Sequence, residues 1–392
     1  MGPLDQTRRR SFVMLRDVLW RELKTPVALV DLDKLEANTA RMSERMRHLG
    51  VKLRPHVKTH KCVEAARFQV RGHFGGITVS TLAEARYFGR AGFRNITYAV
   101  PIAPARLEEA IEVASALDEL NVLIDHEATL EAMEASARAK GVTLSAYLKV
   151  DCGYHRAGVD PESDDAIKLA LRLHDSPHVV ARGLLTHAGH SYLGKTPAEV
   201  RAVGEEEKSV MVRFAQKLDS AGARPAEVSI GSTPTMSVAD SLQGITEARP
   251  GNYAFYDRFQ ASIGICSFDD VAFSVLVSVI GHYPERNELL IDGGALAFSK
   301  DEGPTHIDPD CGFGTIVSSN DGRALDGLRV ASLSQEHGKI QGCGPTDVEQ
   351  FPVGSKLRIL PNHSCLSAAL FDRYHVTRGN EVIEEWRPIR GW

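Results

Sequence analysis

No stretch of this chain is apolar for the ~18 residues a membrane span needs, so no such span is expected. Cysteine is sparse and dispersed. Cys62, Cys152, Cys266, Cys311, Cys343 and Cys365 contain no CxxC pair and no dense framework. In a chain of 392 residues that spacing argues for reduced thiols in a cytoplasm, with one or more free to serve a metal. Excess positive charge is also missing: 46 Lys and Arg stand against 51 Asp and Glu, for a net charge of −5. A nucleic-acid partner is therefore not expected. The basic start, Arg8-Arg9-Arg10, leads into a pattern broken by Asp17, Arg21, Glu22 and Lys24, which reads as an amphipathic helix rather than a secretory leader. Short-period repeats and low-complexity segments are absent as well.

What is there is an alternation. Hydrophobic residues make up 43% and charged residues 25% of the chain, as in globular proteins. Its length suits one large α/β domain plus a smaller one. Strand-like segments fall at 53–58, 76–81, 95–100, 121–126, 144–151, 181–187, 227–232 and 246–253. Amphipathic helical stretches such as 106–117, 127–140, 163–174 and 197–221 lie between them. Strand and helix repeated in this way predict a parallel (β/α)8 barrel. A ninth strand, 27–32, followed by a helix over 34–49, is one too many and is assigned to the second domain. After about residue 270 short strands joined by tight turns take over, at 275–283, 288–292, 328–333, 356–360, 374–376 and 382–385. They predict an antiparallel β domain. The expected division is 1–32 (a helix and strand packing with the β domain), 33–258 (barrel) and 259–392 (β domain). Residues 300–325 read as a long polar loop.

Barrel chemistry sits at the carboxyl ends of the strands. Lys58, in the run Arg54-Pro55-His56-Val57-Lys58-Thr59-His60-Lys61, closes the first strand, where a Schiff base to pyridoxal phosphate would be built. Taken alone, the run is an ordinary basic turn. Arg156, in the DCGYHR segment after the fifth strand, suits an anionic oxygen or is a plain surface charge. His187 after the sixth is either a core histidine or a site group. Gly231-Ser232-Thr233-Pro234-Thr235 after the seventh is either a turn or a cradle for phosphate. Arg249-Pro250-Gly251-Asn252-Tyr253 lies at the eighth. Near the far end, His363-Ser364-Cys365 puts an imidazole and a thiol on alternate residues, so that in an extended chain both face one ion. Nitrogen plus thiolate suits zinc, and two ligands leave coordination open for water or substrate.

Taken in order, RPHVKTHK, DCGYHRAGV, THAGHSY, SIGSTPT, RPGNYAFYD, VIGHYPERNELLIDGG, SLSQEHGK and PNHSC resemble a known family over nearly the whole chain. It is the zinc-dependent D-serine dehydratase / D-threonine aldolase family of fold-type III pyridoxal-phosphate enzymes, with an alanine-racemase-like barrel. The resemblance implies that Lys58 is the Schiff-base lysine, that Arg156 meets the cofactor's phenolic oxygen and that His187 lies beside its ring. It also implies that Gly231, Ser232, Thr233, Gly251 and Asn252 hold the phosphate, with Tyr253 in the same lining. His363 and Cys365 would be the metal pair, for Zn2+ or another divalent ion such as Mn2+. Cysteine rather than aspartate at the second metal position points to dehydration. Arg249 departs from the dehydratase pattern and matches the racemase arginine that keeps the pyridine nitrogen unprotonated.

The activity so implied is that of a lyase acting on a small D-amino acid, D-serine first, with Lys58 as base and the metal assisting the departing hydroxide. Retro-aldol cleavage of D-threonine and dehydration of D-threo-3-hydroxyaspartate are the rivals. The second would need a further cation, for which His155, His190 and Arg373 are candidates. Racemisation would need a base opposite Lys58, and neither Tyr283 nor Tyr374 is marked for that role. A non-enzymatic cofactor carrier would have no use for the metal pair. A cytoplasmic homodimer with shared sites is expected from the family.

Overall fold

The computed structural model describes residues 18–318, 323–342 and 348–392. The expected N-terminal helix, the turn at Asn320-Asp321-Gly322 and Cys343 lie outside them. Two sheets organise the chain. The strands are β1 (Val27–Asp31), β2 (Lys52–Leu53), β3 (Ile77–Val79), β4 (Asn95–Pro101), β5 (Glu119–Ile124), β6 (Leu144–Lys149), β7 (Val179–Leu185), β8 (Glu227–Ile230) and β9 (Glu247–Ala248). After them come β10 (Phe273–Tyr283), β11 (Glu288–Ile291), β12 (Gly314–Val317), β13 (Ala324–Leu333), β14 (Gly338–Gly342), β15 (Lys356–Pro361), β16 (Tyr374–Arg378) and β17 (Glu381–Trp386).

Strands β2 to β9 form the parallel sheet, in the order β2-β9-β8-β7-β6-β5-β4-β3. It closes where Val57 N–H donates to the Thr78 carbonyl and Thr78 N–H to the Pro55 carbonyl, both at 2.9 Å. This is the expected (β/α)8 barrel, with two strands far shorter than their apolar patterns suggest. Pro55 and Pro250 lack an N–H to give to a ladder, so β2 and β9 keep two residues each. Lys58 therefore stands in a turn beyond the strand rather than at its end. Helices fill the crossovers. Glu127–Lys140 ends at Gly141 in the left-handed conformation, φ 64°. Pro197–Ser220 starts with Thr196 capping Glu199 N–H and proline in the first turn.

At the amino ends of the strands the barrel floor is a closed polar mesh. Arg54 Nε donates to Glu247 Oε2 at 2.6 Å and Arg54 Nη1 to Asn95 Oδ1 at 2.5 Å. Asn95 and Asn121 both donate to Glu119, at 2.8 and 2.7 Å. Ser145 reaches Asn121, and the Tyr147 hydroxyl donates to Glu227.

The antiparallel sheet runs β11-β14-β13-β12-β15-β10-β1-β16-β17. β1, which precedes the barrel, lies inside it, antiparallel to β10 and parallel to β16. The polar stretch 300–325, read as loop, contains β12, whose Gly314 and Ile316 pair with Pro361 and Ile359 of β15. Among the described residues no helix is long and apolar enough to cross a membrane.

Candidate active site

The carboxyl ends of the strands carry cations that the chain itself leaves unmatched. Lys58 Nζ has no hydrogen bond or ion pair among the described residues; the backbone N–H of Lys58 donates to His56 Nδ1 at 3.4 Å. Burial pushes the Lys58 amine below its ordinary value, and Arg156 and Arg249 push the same way against Cys365 and Glu84. His187 and His56 are held neutral by burial, reinforced by Lys58 and Arg249. His187 Nδ1 lies 3.4 Å from the Gly231 carbonyl. Arg249 is buried, with Nε donating to Ser229 Oγ at 2.8 Å and Nη2 to the Thr186 carbonyl, so it points into the barrel. Arg156 is exposed at the rim, its guanidinium 5.2 Å from the Tyr154 ring centre. Lys149, at the end of β6, is buried with only the Val150 carbonyl as hydrogen-bond partner among the described residues (3.0 Å), and its amine is lowered to about 8, chiefly by burial. Motif reading passed over Lys149 because it lies within an apolar strand.

The hydroxyl-rich turn is built as a capping box. Ser232 Oγ caps Thr235 N–H while Thr235 Oγ1 accepts from Ser232 N–H. Gly231, at φ +108°, gives its N–H to buried Glu207, which also takes Ala188 N–H. Thr233 Oγ1 accepts from the N–H groups of Gly251 and Tyr253, at 3.3 and 3.1 Å. A Cβ on Gly251 would stand 2.4 Å from the His56 carbonyl, so glycine alone lets these two strand ends approach. The Tyr253 ring is fully buried in the barrel core; only its backbone borders the turn.

His363 and Cys365 come together, though not along an extended chain. β15 ends at Pro361, His363 caps the helix Ser364–Ala368, and Cys365 sits in its first turn. The helix start, rather than strand alternation, turns both side chains to one side. Thr59 Oγ1, next to Lys58 in sequence, lies 3.1 Å from Cys365 Sγ, and Asn252 Nδ2 lies 3.6 Å from it. Burial alone would raise the thiol. The His363 imidazolium and its hydrogen bond, with Lys58 and Thr59, bring it instead to about 7. Asp301 Oδ2 faces His363 Nδ1 at 3.2 Å, which leaves Nε2 for the cysteine side. Asp301 lay in the stretch read as loop, and nothing in its spacing marked it. Asn252 Nδ2 also donates to Asp257 (2.8 Å) and Ser364 (2.9 Å), and Asp257 accepts Ser364 N–H (3.0 Å), stitching the barrel to the β domain beside the pair.

The donor chemistry says what would fit. A cluster of cations with no carboxylate hydrogen-bonded to them among the described residues, near the Ser232–Thr233 turn, suits an anionic group. A soft thiolate beside an imidazole suits a zinc-like ion. Among the described residues no three His, Cys, Asp or Glu side chains converge, so the chain offers such an ion two ligands.

The family model for the alanine racemase N-terminal domain matches residues 30–258, and that for a serine dehydratase domain matches 272–377. A D-threo-3-hydroxyaspartate dehydratase from Delftia sp. (strain HT23) is 39% identical over 94% of this chain and 98% of its own length. A D-serine dehydratase from Dictyostelium discoideum is 38% identical with the same coverage, 94% and 98%. A solved cysteine-to-alanine mutant of D-threo-3-hydroxyaspartate dehydratase, in the metal-free form, matches with TM-score 0.91 at 37% identity, over 96% of this chain and 100% of that one. The chain thus belongs to the alanine racemase N-terminal domain family, among members whose barrel is followed by a serine dehydratase domain.

Proposed function

We propose that the protein is a lyase that removes water from a D-3-hydroxy amino acid, D-serine going to pyruvate and ammonia. One observation carries the reading: Lys58, half-buried and without an acid partner among the described residues, shares a mouth with the half-buried His363–Cys365 pair. Pyridoxal phosphate fits the cationic half. Lys58 would hold it, with Arg156, His187 and Arg249 around its ring. Ser232, Thr233 and the Gly231 and Gly251-Asn252 backbone would take its phosphate, with the Tyr253 backbone beside them. A divalent ion, zinc or manganese, fits His363 and Cys365. When bound, the cofactor makes the Cα–H of an amino acid acidic, and the metal acts as a Lewis acid toward a departing hydroxide.

The chain's own groups do the rest. Burial and neighbouring cations favour a neutral amine on Lys58, the form that can take a proton from Cα. Arg249, anchored on Ser229 and Thr186, presents a fixed positive charge to the barrel interior. Asp301 holds the His363 ring by Nδ1, and Thr59 and Asn252 direct donors at the Cys365 sulfur.

D-threo-3-hydroxyaspartate is a second substrate to weigh, favoured by the identity to the Delftia enzyme. Of the cations considered for its extra carboxylate, Arg373 is engaged by Asp372 and Glu385, and His155 by Asp151. His190 remains, with Nδ1 unpartnered among the described residues beside Tyr154 and its imidazole lowered by burial, so a carboxylate would have to supply the charge that keeps it protonated. A homodimer belongs to the same reading, supported by exposed Leu193, Leu296 and Leu366.

The test is product identification with pyridoxal phosphate and zinc, on D-serine, D-threo-3-hydroxyaspartate and D-threonine separately, before and after chelation. Pyruvate and ammonia from D-serine, abolished by the chelator, are expected. Glycine and acetaldehyde from D-threonine, with D-serine untouched, would replace dehydration by aldol cleavage.

A further inference from the structure

One motif residue has no part in the function proposed above. His60 stands two positions after Lys58 in the RPHVKTHK run and is wholly buried. Both of its ring nitrogens are engaged. Cys62 N–H donates to Nδ1 at 3.1 Å. Burial takes the imidazole down to about 4, so the ring is neutral and its one proton sits on Nε2. Nε2 lies 2.8 Å from Oε1 of Gln69, the last residue of the helix Val63–Gln69, and donates to it.

That direction fixes the buried amide. With Oε1 taken by His60, Gln69 Nε2 donates to the Gly251 carbonyl at 3.3 Å, and the Tyr253 hydroxyl also faces the amide. A flipped amide would oppose donor to donor at His60 and acceptor to acceptor at Gly251. The Gly251 carbonyl and the Asn252 N–H belong to one trans peptide and point opposite ways. Gln69 holds the carbonyl, while Thr233 Oγ1 takes the N–H groups on either side, those of Gly251 and Tyr253. The Asn252 N–H between them has no acceptor among the described residues. The lysine end is tied as firmly. The Tyr374 hydroxyl donates to the His60 carbonyl at 2.9 Å, Ile389 N–H to the Lys61 carbonyl at 2.8 Å, and Lys61 Nζ lies 2.9 Å from Glu84.

We propose that His60, acting through Gln69, is a positioning residue that sets the Gly251–Asn252 peptide relative to the Lys58 turn and so presents the Asn252 N–H to the cofactor's phosphate. The proposal rests on the function proposed above, which puts that phosphate on this backbone. His60 itself moves no proton. Its rival is an ordinary core histidine, whose loss would loosen the mouth as a whole.

The test compares pyridoxal phosphate with pyridoxal, which keeps the ring and aldehyde but lacks the phosphate. Dissociation constants for both are measured by equilibrium dialysis of the full-length protein with zinc present. Gln69→Met removes the amide at nearly constant volume. At position 60 a glutamine nitrogen can stand where Nε2 stands, and an asparagine oxygen where Nδ1 stands. Gln69→Met and His60→Asn are expected to weaken pyridoxal phosphate about 10- to 100-fold, with pyridoxal near its wild-type value. His60→Gln, which keeps the donor to Gln69, should stay near wild type on both. Saturated with cofactor, the two His60 variants should keep the wild-type pH profile of pyruvate formation. An equal loss on both ligands, unchanged pyridoxal phosphate binding in His60→Asn, or a displaced pH profile overturns the inference. If Gln69→Met does not fold, the two His60 variants decide it alone. Wild type that binds pyridoxal phosphate no more tightly than pyridoxal overturns the phosphate site of the proposed function, and this inference with it.

Discussion

The two ends of the barrel both draw polar groups in from solvent and treat them in opposite ways. At the floor almost every donor meets an acceptor: Arg54 with Glu247 and Asn95, Glu119 with two asparagines, Tyr147 with Glu227. At the mouth, among the described residues, Lys58 has no partner and Lys149 has one carbonyl, while burial first and the neighbouring cations second hold His56 and His187 neutral. A floor that satisfies itself contributes stability. A mouth with surplus charge of one sign is incomplete until an anion arrives, which is where the fold places chemistry. Sequence proximity does not separate the two: Arg54 and Lys58 stand in one eight-residue run.

Three substitutions would break that contrast or sharpen it. Lys58→Ala should lower the rate of pyruvate formation by at least about 10³-fold. The ligand-free protein should keep its melting temperature or gain, since a half-buried cation with no partner among the described residues is removed. A retained rate, or a collapse of stability, would erase the difference between the ends. Glu247→Ala should cost about 3–5 kcal/mol in urea unfolding, because it strands Arg54 as an unmatched buried charge. A midpoint within error of wild type would show the floor to be ornamental. Glu207 lies between the ends, accepting from Ala188 and Gly231 N–H. Burial raises its carboxyl above the ordinary 4.5, the N–H bonds and nearby cations only partly opposing. A folded-state value above the unfolded one stabilises fully below the unfolded value, and the gain is lost as pH rises through the folded one. Wild type should therefore lose stability relative to Glu207→Gln as pH rises from about 4.5. A difference in melting temperature that stays flat from acid to neutral pH would remove Glu207 from that boundary.

Periodicity was enough for the barrel, because long amphipathic segments such as Glu127–Lys140 and Pro197–Ser220 carry many repeats of one signal. It was too weak for β12 and β14, four and five residues long, where glycines dilute the alternation. It overstated β2 and β9, since an apolar residue next to proline looks like strand to a pattern but not to a hydrogen-bond ladder. The motif residues were legible because unusual types recur in a fixed order. Asp301, Glu207 and Lys149 were not, because what singles them out is a partner, or the lack of one, far away in the chain. His363 and Cys365 were legible as a pair, but from the wrong geometry: a helix start brings them together.

One consequence of the topology concerns how this molecule is made. β1 emerges before the barrel, yet both of its neighbours, β10 and β16, follow it. During synthesis the strand must stay unpaired while the barrel takes shape, and its apolar core residues, Ala28, Leu29 and Val30, stay without their native cover. The loop it must finally close spans the entire barrel, and loop-closure entropy rises only slowly with length. The burden on the nascent chain is therefore one of time rather than of equilibrium. A truncation before Phe273 would release a barrel bearing a sticky, orphaned strand.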